Sequence, residues 1–220
     1  MKPTANNTVN SDEQKSRLWQ TVTGPDGKPR CRWCSAAPEF LDYHDTEWGF
    51  PVDDDFRLFE KLCLEGFQSG LSWRTILVKR ENFRAAFHYF DFNKIARFTE
   101  RDVERLLQNA GIIRHRGKIE AVINNAQRAQ ELVKREGSLA AFIWQYEPDD
   151  STLEKPQTFS ISPESVALSK ELKKQGWKFV GPTTVYAFMQ AMGLINDHEE
   201  GCVIREKVAQ KRAKFKQPAC

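Results

Sequence analysis

The chain lacks any run of about eighteen apolar residues, the length a helix needs to cross a bilayer. Its first ten residues, Met1-Lys-Pro-Thr-Ala-Asn-Asn-Thr-Val-Asn10, have no apolar stretch of the kind that forms an export signal. We therefore expect a protein of the cytoplasm with no membrane partner. Alternating apolar and polar stretches long enough for a sheet are also missing, as are internal repeats and low-complexity tracts, which points away from sheet folds and solenoids. Only five cysteines occur, and without an export signal they do not suggest a disulfide framework. Each is expected as a small buried residue or as a metal ligand. Cys63, within Leu58-Phe59-Glu60-Lys61-Leu62-Cys63-Leu64, reads as plain core, and Cys220 ends a polar tail.

A chain of 220 residues with 40% hydrophobic content can bury one sizeable core. From Asp53 the apolar residues recur at helical spacing, through Phe56, Phe59, Leu62 and Cys63, then Leu71, Ile76 and Leu77, then Phe83, Phe87 and Phe90. Thr99 with Asp102 predicts a capped helix start that leads into Val103, Leu106 and Leu107. A longer helix is predicted from Arg116 to about Arg135, with Ile119, Val122, Ile123 and Ala126 inward and Gly137 as its stop. Ser138 to Gln145 follows as a short helix, and Glu147 to Ser160, with Pro148 and Pro156, as a loop or insertion. Ser162-Pro163-Glu164 opens a helix that ends at Gly176, and Pro182 opens a last one through Tyr186, Phe188, Met189 and Met192 to Gly193. The fold class is all-α, with about eight to ten short helices.

Both ends differ from the middle. Residues 1–28 are polar and rich in turn formers, and we expect a flexible extension there, with folded structure from 29 to 203. Between Arg205 and Cys220, the six basic residues Arg205, Lys207, Lys211, Arg212, Lys214 and Lys216 face one acid, Glu206, so 204–220 is expected as a basic tail. Such a tail either adds attraction to a polyanion or serves only for solubility.

Three groups of residues could carry chemistry. Cys31 and His44 near one end, with His198 and Cys202 near the other, supply the thiolates and imidazoles that close a tetrahedral Zn²⁺ shell. The pair Cys31-Arg-Trp-Cys34 competes, because C-x2-C is a stronger zinc spacing than Cys31 with His44, and composition leaves Cys34 and His44 as alternatives for the fourth ligand. The second group is the aromatic cluster Trp33, Phe40, Tyr43 and Trp48, read either as a core corner or as a stacking pocket for a flat or cationic ligand. Trp73 and Glu65 extend it, since a carboxylate at the end of an apolar helix is out of place without a partner. The third is Ala110-Gly111-Ile112-Ile113-Arg114-His115-Arg116-Gly117-Lys118, a glycine-bounded turn between two helices with basic residues at the second helix start. Arg114, Arg116, Gly117 and Lys118 there suit a DNA phosphate, or else form a plain turn with solvated charges.

Taken together, Cys31-x-Trp33, Tyr43-His44-Asp45-x-Glu47-Trp48-Gly49-x-Pro51, Leu64-Glu65-Gly66-x-Gln68-x-Gly70-Leu71-Ser72-Trp73, the stretch from Ala110 to Lys118, Phe179-Val180-Gly181-Pro182-Thr183 and Asn196-Asp197-His198 resemble the 3-methyladenine DNA glycosylase I family. The match runs in order from Arg30 to Cys202. The resemblance implies a helix-hairpin-helix fold, with the hairpin at about 106–126, that removes 3-methyladenine from double-stranded DNA without cutting the strand. It implies a structural Zn²⁺ on Cys31, His44, His198 and Cys202, with Cys34 a bystander. It carries the base pocket onto Trp33, Tyr43, Glu65 and Trp73, and the loop that fills the gap left by the extruded nucleotide onto Gly70 and Leu71. Phe40 stands where family members often carry tyrosine.

An N3-methylated adenine in DNA is a cation and already a good leaving group, so one carboxylate, Glu65, is expected to suffice as the catalytic group. Related helix-hairpin-helix enzymes place a catalytic Asp some twenty residues after the hairpin, whereas no Asp occurs between Lys118 and Tyr146, and no lysine stands out as a Schiff-base nucleophile. The expected function is a monofunctional, monomeric glycosylase of base excision repair that flips its target base and releases free 3-methyladenine. The alternative is a non-catalytic lesion-binding module of the same fold.

Overall fold

A computed structural model of the chain describes residues 21–149 and 155–218. A two-residue antiparallel ladder, β1 (Val22–Thr23) with β2 (Pro29–Arg30), is the only sheet among them. A short 3-10 turn at Arg32–Ser35 leads into α1 (Pro38–Thr46) and then α2 (Asp55–Gln68), α3 (Trp73–Leu77), α4 (Arg80–Ala86), α5 (Phe92–Ile95) and α6 (Glu100–Leu107). The second half holds α7 (Arg116–Glu136), α8 (Leu139–Trp144), α9 (Pro163–Lys174), α10 (Pro182–Ala191) and α11 (Val203–Lys214). None of these helices is long and apolar enough to cross a membrane.

The helix α2 is the centre of the molecule. All residues from Leu58 to Phe67 are buried, and α3, α7, α8 and α10 pack around it. A helix buried on every side would ordinarily be apolar all round. Here Glu60, Lys61 and Glu65 are buried as well, each with a charged partner, Arg84 for Glu60 and each other for Lys61 and Glu65. Local chemistry sets the starts of the helices. The Asp54 carboxylate accepts from the Arg57 N–H, Ser72 from Thr75 and Ser138 from Ala141, while Thr99 with Asp102 and Ser162 with Ser165 form capping boxes.

Two expectations about the ends are corrected. Of residues 1–28, the described part from 21 onward is not free chain. The β ladder closes a hairpin whose Arg30 is clamped between the carboxylates of Asp26 and Asp45 at 2.5 and 2.8 Å. The basic segment after Cys202 is not a solvated tail either. It forms α11, because Ile204 and Val208 fall one turn apart and bury against the same small cluster as Cys31 and Cys202. Beyond it Phe215 packs on Trp144, tilted at 38° with centroids 4.4 Å apart, and Arg212 pairs with Glu147 at 2.9 Å. Residues 1–20 and Cys220 lie outside the described residues.

The predicted hairpin is α6, a turn, and α7. Its geometry depends on side chains from both directions, since Asn109 accepts from the Gly111 N–H at 2.9 Å and the His115 ring caps α7 through the Lys118 N–H at 3.2 Å. From outside, Lys79 donates to the Ala110 carbonyl at 3.2 Å.

Candidate functional site

Four donors from opposite ends of the chain converge. Cys31 precedes the 3-10 turn, His44 lies on α1, and His198 and Cys202 border the turn before α11. All four are buried, and their ligand atoms lie within 4.8 Å of one another. The His198 Nδ1 to His44 Nε2 distance is 3.2 Å, and the sulfur to nitrogen distances are 3.7 Å for Cys31 to His198, 3.7 Å for Cys202 to His198 and 3.6 Å for Cys202 to His44. A tetrahedral zinc with ordinary bond lengths has nitrogen to nitrogen edges of roughly 3.3 Å and sulfur to nitrogen edges of roughly 3.6 Å. The donor set therefore fits such an ion in both chemistry and size. The second ring nitrogen of each histidine is held as metal-binding imidazoles usually are, His44 Nδ1 by the Asp45 carboxylate at 2.7 Å and His198 Nε2 by the Trp48 carbonyl at 2.9 Å. Gly49, at φ +86°, leaves no room for more, because a Cβ there would sit 3.0 Å from His198 Nε2. Cys34 is buried nearby but is not one of the converging donors, and burial pushes its thiol up to about 11.

Next to this cluster lies a cavity of about 270 Å³, lined among others by Trp33, Tyr43, Trp48, Lys61, Glu65 and Trp73. The wall between the two is the ring of Trp33, whose edge or face meets His44 at 5.2 Å and Trp48 at 5.1 Å. Phe40 is not part of the lining. It packs on the outside of Trp33 at 5.8 Å. Tyr43 and Trp73 face each other at 5.5 Å and 44°. The Trp73 indole N–H is buried without a partner among the described residues, an unusual cost for a polar group and one that a ligand acceptor could remove.

Sequence reasoning missed several of the lining residues. Lys61, one turn before Glu65, donates to the Glu65 carboxylate at 2.7 Å and to the Tyr43 hydroxyl at 2.8 Å, and its ammonium stands 3.4 Å above the Trp73 ring. Burial lowers the Lys61 pKa, and the Glu65 carboxylate opposes that shift. Burial, then the charge of Glu65, raises the Tyr43 phenol well above its usual value. An i, i+4 Lys and Glu pair in an apolar helix was the one available signal for Lys61. Gln157, Phe159 and Gln190 also line the cavity. Asp197 organises two of them, accepting from the Gln157 N–H at 2.8 Å and from Gln190 Nε2 at 2.5 Å. Burial raises the Asp197 pKa.

The hairpin residues divide. Arg114 is exposed. Arg116 is tied into an exposed acidic group, 2.6 Å from Glu100 and also paired with Glu104 and Glu120. Lys118, expected at a phosphate, is instead turned inward: its ammonium donates to the carbonyls of Phe67 at 2.9 Å and Ser69 at 2.6 Å. It thus satisfies the open end of α2, where backbone carbonyls lack helical partners. Gly117 is part of the same first turn of α7. Immediately after Ser69 come Gly70, at φ +78° as only glycine readily allows, and Leu71, 40% exposed despite its apolar side chain.

The methyladenine glycosylase family profile matches residues 33–206. The chain is 51% identical to DNA-3-methyladenine glycosylase 1 of Escherichia coli over 79% of its own length and 95% of that protein, and 47% identical to DNA-3-methyladenine glycosylase of Haemophilus influenzae over 79% and 96%. Its structure is similar to a crystal structure of 3-methyladenine DNA glycosylase I, with a TM-score of 0.75 at 51% identity, covering 79% of this chain and 98% of the other. It is also similar, at 36% identity and a TM-score of 0.75, to the Staphylococcus aureus enzyme, over 80% and 96%, in a study of 3-methyladenine recognition. The match covers most of the chain, and the chain belongs to the methyladenine glycosylases.

Proposed function

We propose that this protein is a monofunctional DNA glycosylase that hydrolyses the N-glycosidic bond of 3-methyladenine in alkylated double-stranded DNA, as the first step of base excision repair. The observation that carries the reading is a single buried carboxylate, Glu65, in a cavity walled by Trp33, Tyr43, Trp48 and Trp73. A flat aromatic base fits such walls, and the lone carboxylate and the unpartnered Trp73 N–H give it one acceptor and one donor. Leu71, exposed on the loop after Gly70, has the character of a wedge for the vacated space, and this reading assigns the DNA backbone to Arg114, exposed just before α7.

The physics needs little from the protein beyond this. As the C1′–N9 bond breaks, its electron pair passes to the cationic base, which leaves neutral, and positive charge develops on the sugar. In this reading Glu65 hydrogen-bonds the base and stabilises that developing charge. The same reading assigns a structural Zn²⁺ to Cys31, His44, His198 and Cys202. Such an ion neutralises two thiolates and ties the chain ends together, and a full four-ligand shell has no position for a reacting water. We infer a monomer of the cytoplasm.

The test is incubation of the pure protein with methylated duplex DNA and chromatography of what is released. Free 3-methyladenine with an uncut strand supports the glycosylase. Tight binding of the lesion with no released base would mean a non-catalytic lesion-binding module.

A further inference from the structure

We propose that Lys61 is a specificity-determining residue of the pocket: its ammonium is a resident cation, placed where Glu65 and Trp73 would otherwise hold the charge of an alkylated base, and it makes the pocket favour the neutral, departing purine over the cationic one. The inference rests on the base-pocket reading above.

The geometry is specific. The Lys61 ammonium lies 2.7 Å from the Glu65 carboxylate and 3.4 Å above the Trp73 ring, the two features of the cavity that attract a cation. Its third contact is the Tyr43 hydroxyl, so all of its donor capacity is spent on the walls of the cavity. The remaining described lining residues add no charge: Gln68, Gln157 and Gln190 are amides, and Phe159 and Ala187 are apolar. Of the carboxylates beyond the lining, Glu47 is bound by Arg80 at 2.6 Å and Arg57 at 3.3 Å, and Asp197 accepts from Gln157 and Gln190. The walls therefore sum to zero charge. A cationic base entering them meets a carboxylate already neutralised and a like charge beside it, whereas a neutral purine meets neither penalty.

Packing does not account for the lysine. Position 61 is 5% exposed on the central helix, between Glu60 and Leu62, and a buried ion pair there gains little stability over an apolar side chain of the same volume. The resident charge has a chemical consequence. Bond cleavage takes the base from cationic to neutral, with the bonding pair moving onto it and the positive charge passing to the sugar, where water adds and loses a proton. A fixed cation on the base side favours that transfer, because it interacts less unfavourably with the departing base than with the intact nucleoside.

Calorimetric titration of the full-length protein separates the possibilities, with free 3-methyladenine at a pH where it is uncharged and with 3,9-dimethyladeninium, the same ring fixed as a cation. The wild type is expected to bind the neutral base at least about tenfold more tightly than the cation. Lys61→Met is expected to tighten the cation about tenfold while moving the neutral base less than about threefold, and Lys61→Arg to keep the wild-type order. Equal affinity of the wild type for both ligands overturns the inference without recourse to any variant. So does a Lys61→Met protein that shifts both affinities by one common factor, the mark of a packing role. Those outcomes leave the base pocket standing. Absence of binding by either ligand to any of the proteins removes the pocket reading and this inference with it.

Discussion

The Lys118 ammonium donates to the Ser69 carbonyl at 2.6 Å, so the start of α7 is fastened to the end of the helix that carries Glu65. A lysine in that role does not neutralise a phosphate. Lys118→Met is therefore expected to leave the slope of log affinity for DNA against log salt unchanged, while Arg114→Ala lowers its magnitude by about one unit. Filter binding over a salt series decides it, and a reduced slope for Lys118→Met would return that residue to the DNA interface.

Glu65 is the carboxylate on which the proposed chemistry depends. Glu65→Gln keeps the volume and one acceptor but removes the charge, and single-turnover excision is expected to fall about a hundredfold or more. Full activity in that variant, with loss in Trp73→Ala, would shift the role from electrostatics to stacking.

The four converging donors predict one zinc per chain by elemental analysis. His44→Ala should lose the metal, and Cys34→Ser should retain it, because Cys34 is outside the donor set. Chelation is expected to lower both the melting temperature and the affinity for the free base, since Trp33 is shared between the cluster and the cavity. Apo protein with unchanged melting and excision would contradict this.

Glu47 gives a pH dependence of defined sign. Burial alone would raise its pKa, but the Arg80 guanidinium prevails and holds it below the ordinary carboxylate value. A depressed folded-state value contributes stability that is complete above the unfolded pKa of about 4.3 and is lost as pH falls through the lower folded value. Glu47→Gln should cost about 2 kcal/mol at neutral pH and flatten the acid limb of the stability curve, as followed by urea unfolding at successive pH values.

What could be read from the residues followed the range of the interactions involved. The starts at Thr99 and Ser162 and the stop at Gly137 are set by neighbours within a turn or so, and the helices begin and end there. The helix after Cys202 was hidden because only Ile204 and Val208 face inward, among residues whose charges dominate the pattern. Lys118 was unreadable for a different reason, and only the i, i+4 pairing with Glu65 marked Lys61. A lysine's ordinary place is solvent, and the groups that hold these two inside, Tyr43 and the carbonyls of Phe67 and Ser69, lie 18 to 51 residues away. Likewise C-x2-C spacing favoured Cys34, whereas the fold brings His44 of α1 to the other three donors. Gln157 sits in what reads as a plain loop, and Asp197, 40 residues on, holds it at the cavity.

The meeting of Cys31 with Cys202 also sets a schedule for the newborn chain. Synthesis runs from the N-terminus, so α2, with Glu65, and the hairpin leave the ribosome well before Gln190, Asp197, His198 and Cys202. The last stretch to emerge holds half of the donor cluster and the carboxylate that anchors Gln157 and Gln190 at the cavity. Until Cys202 is released, the donor cluster lacks its fourth member. A message truncated shortly before that codon would lack the fourth donor and the helix α11 that buries against the cluster.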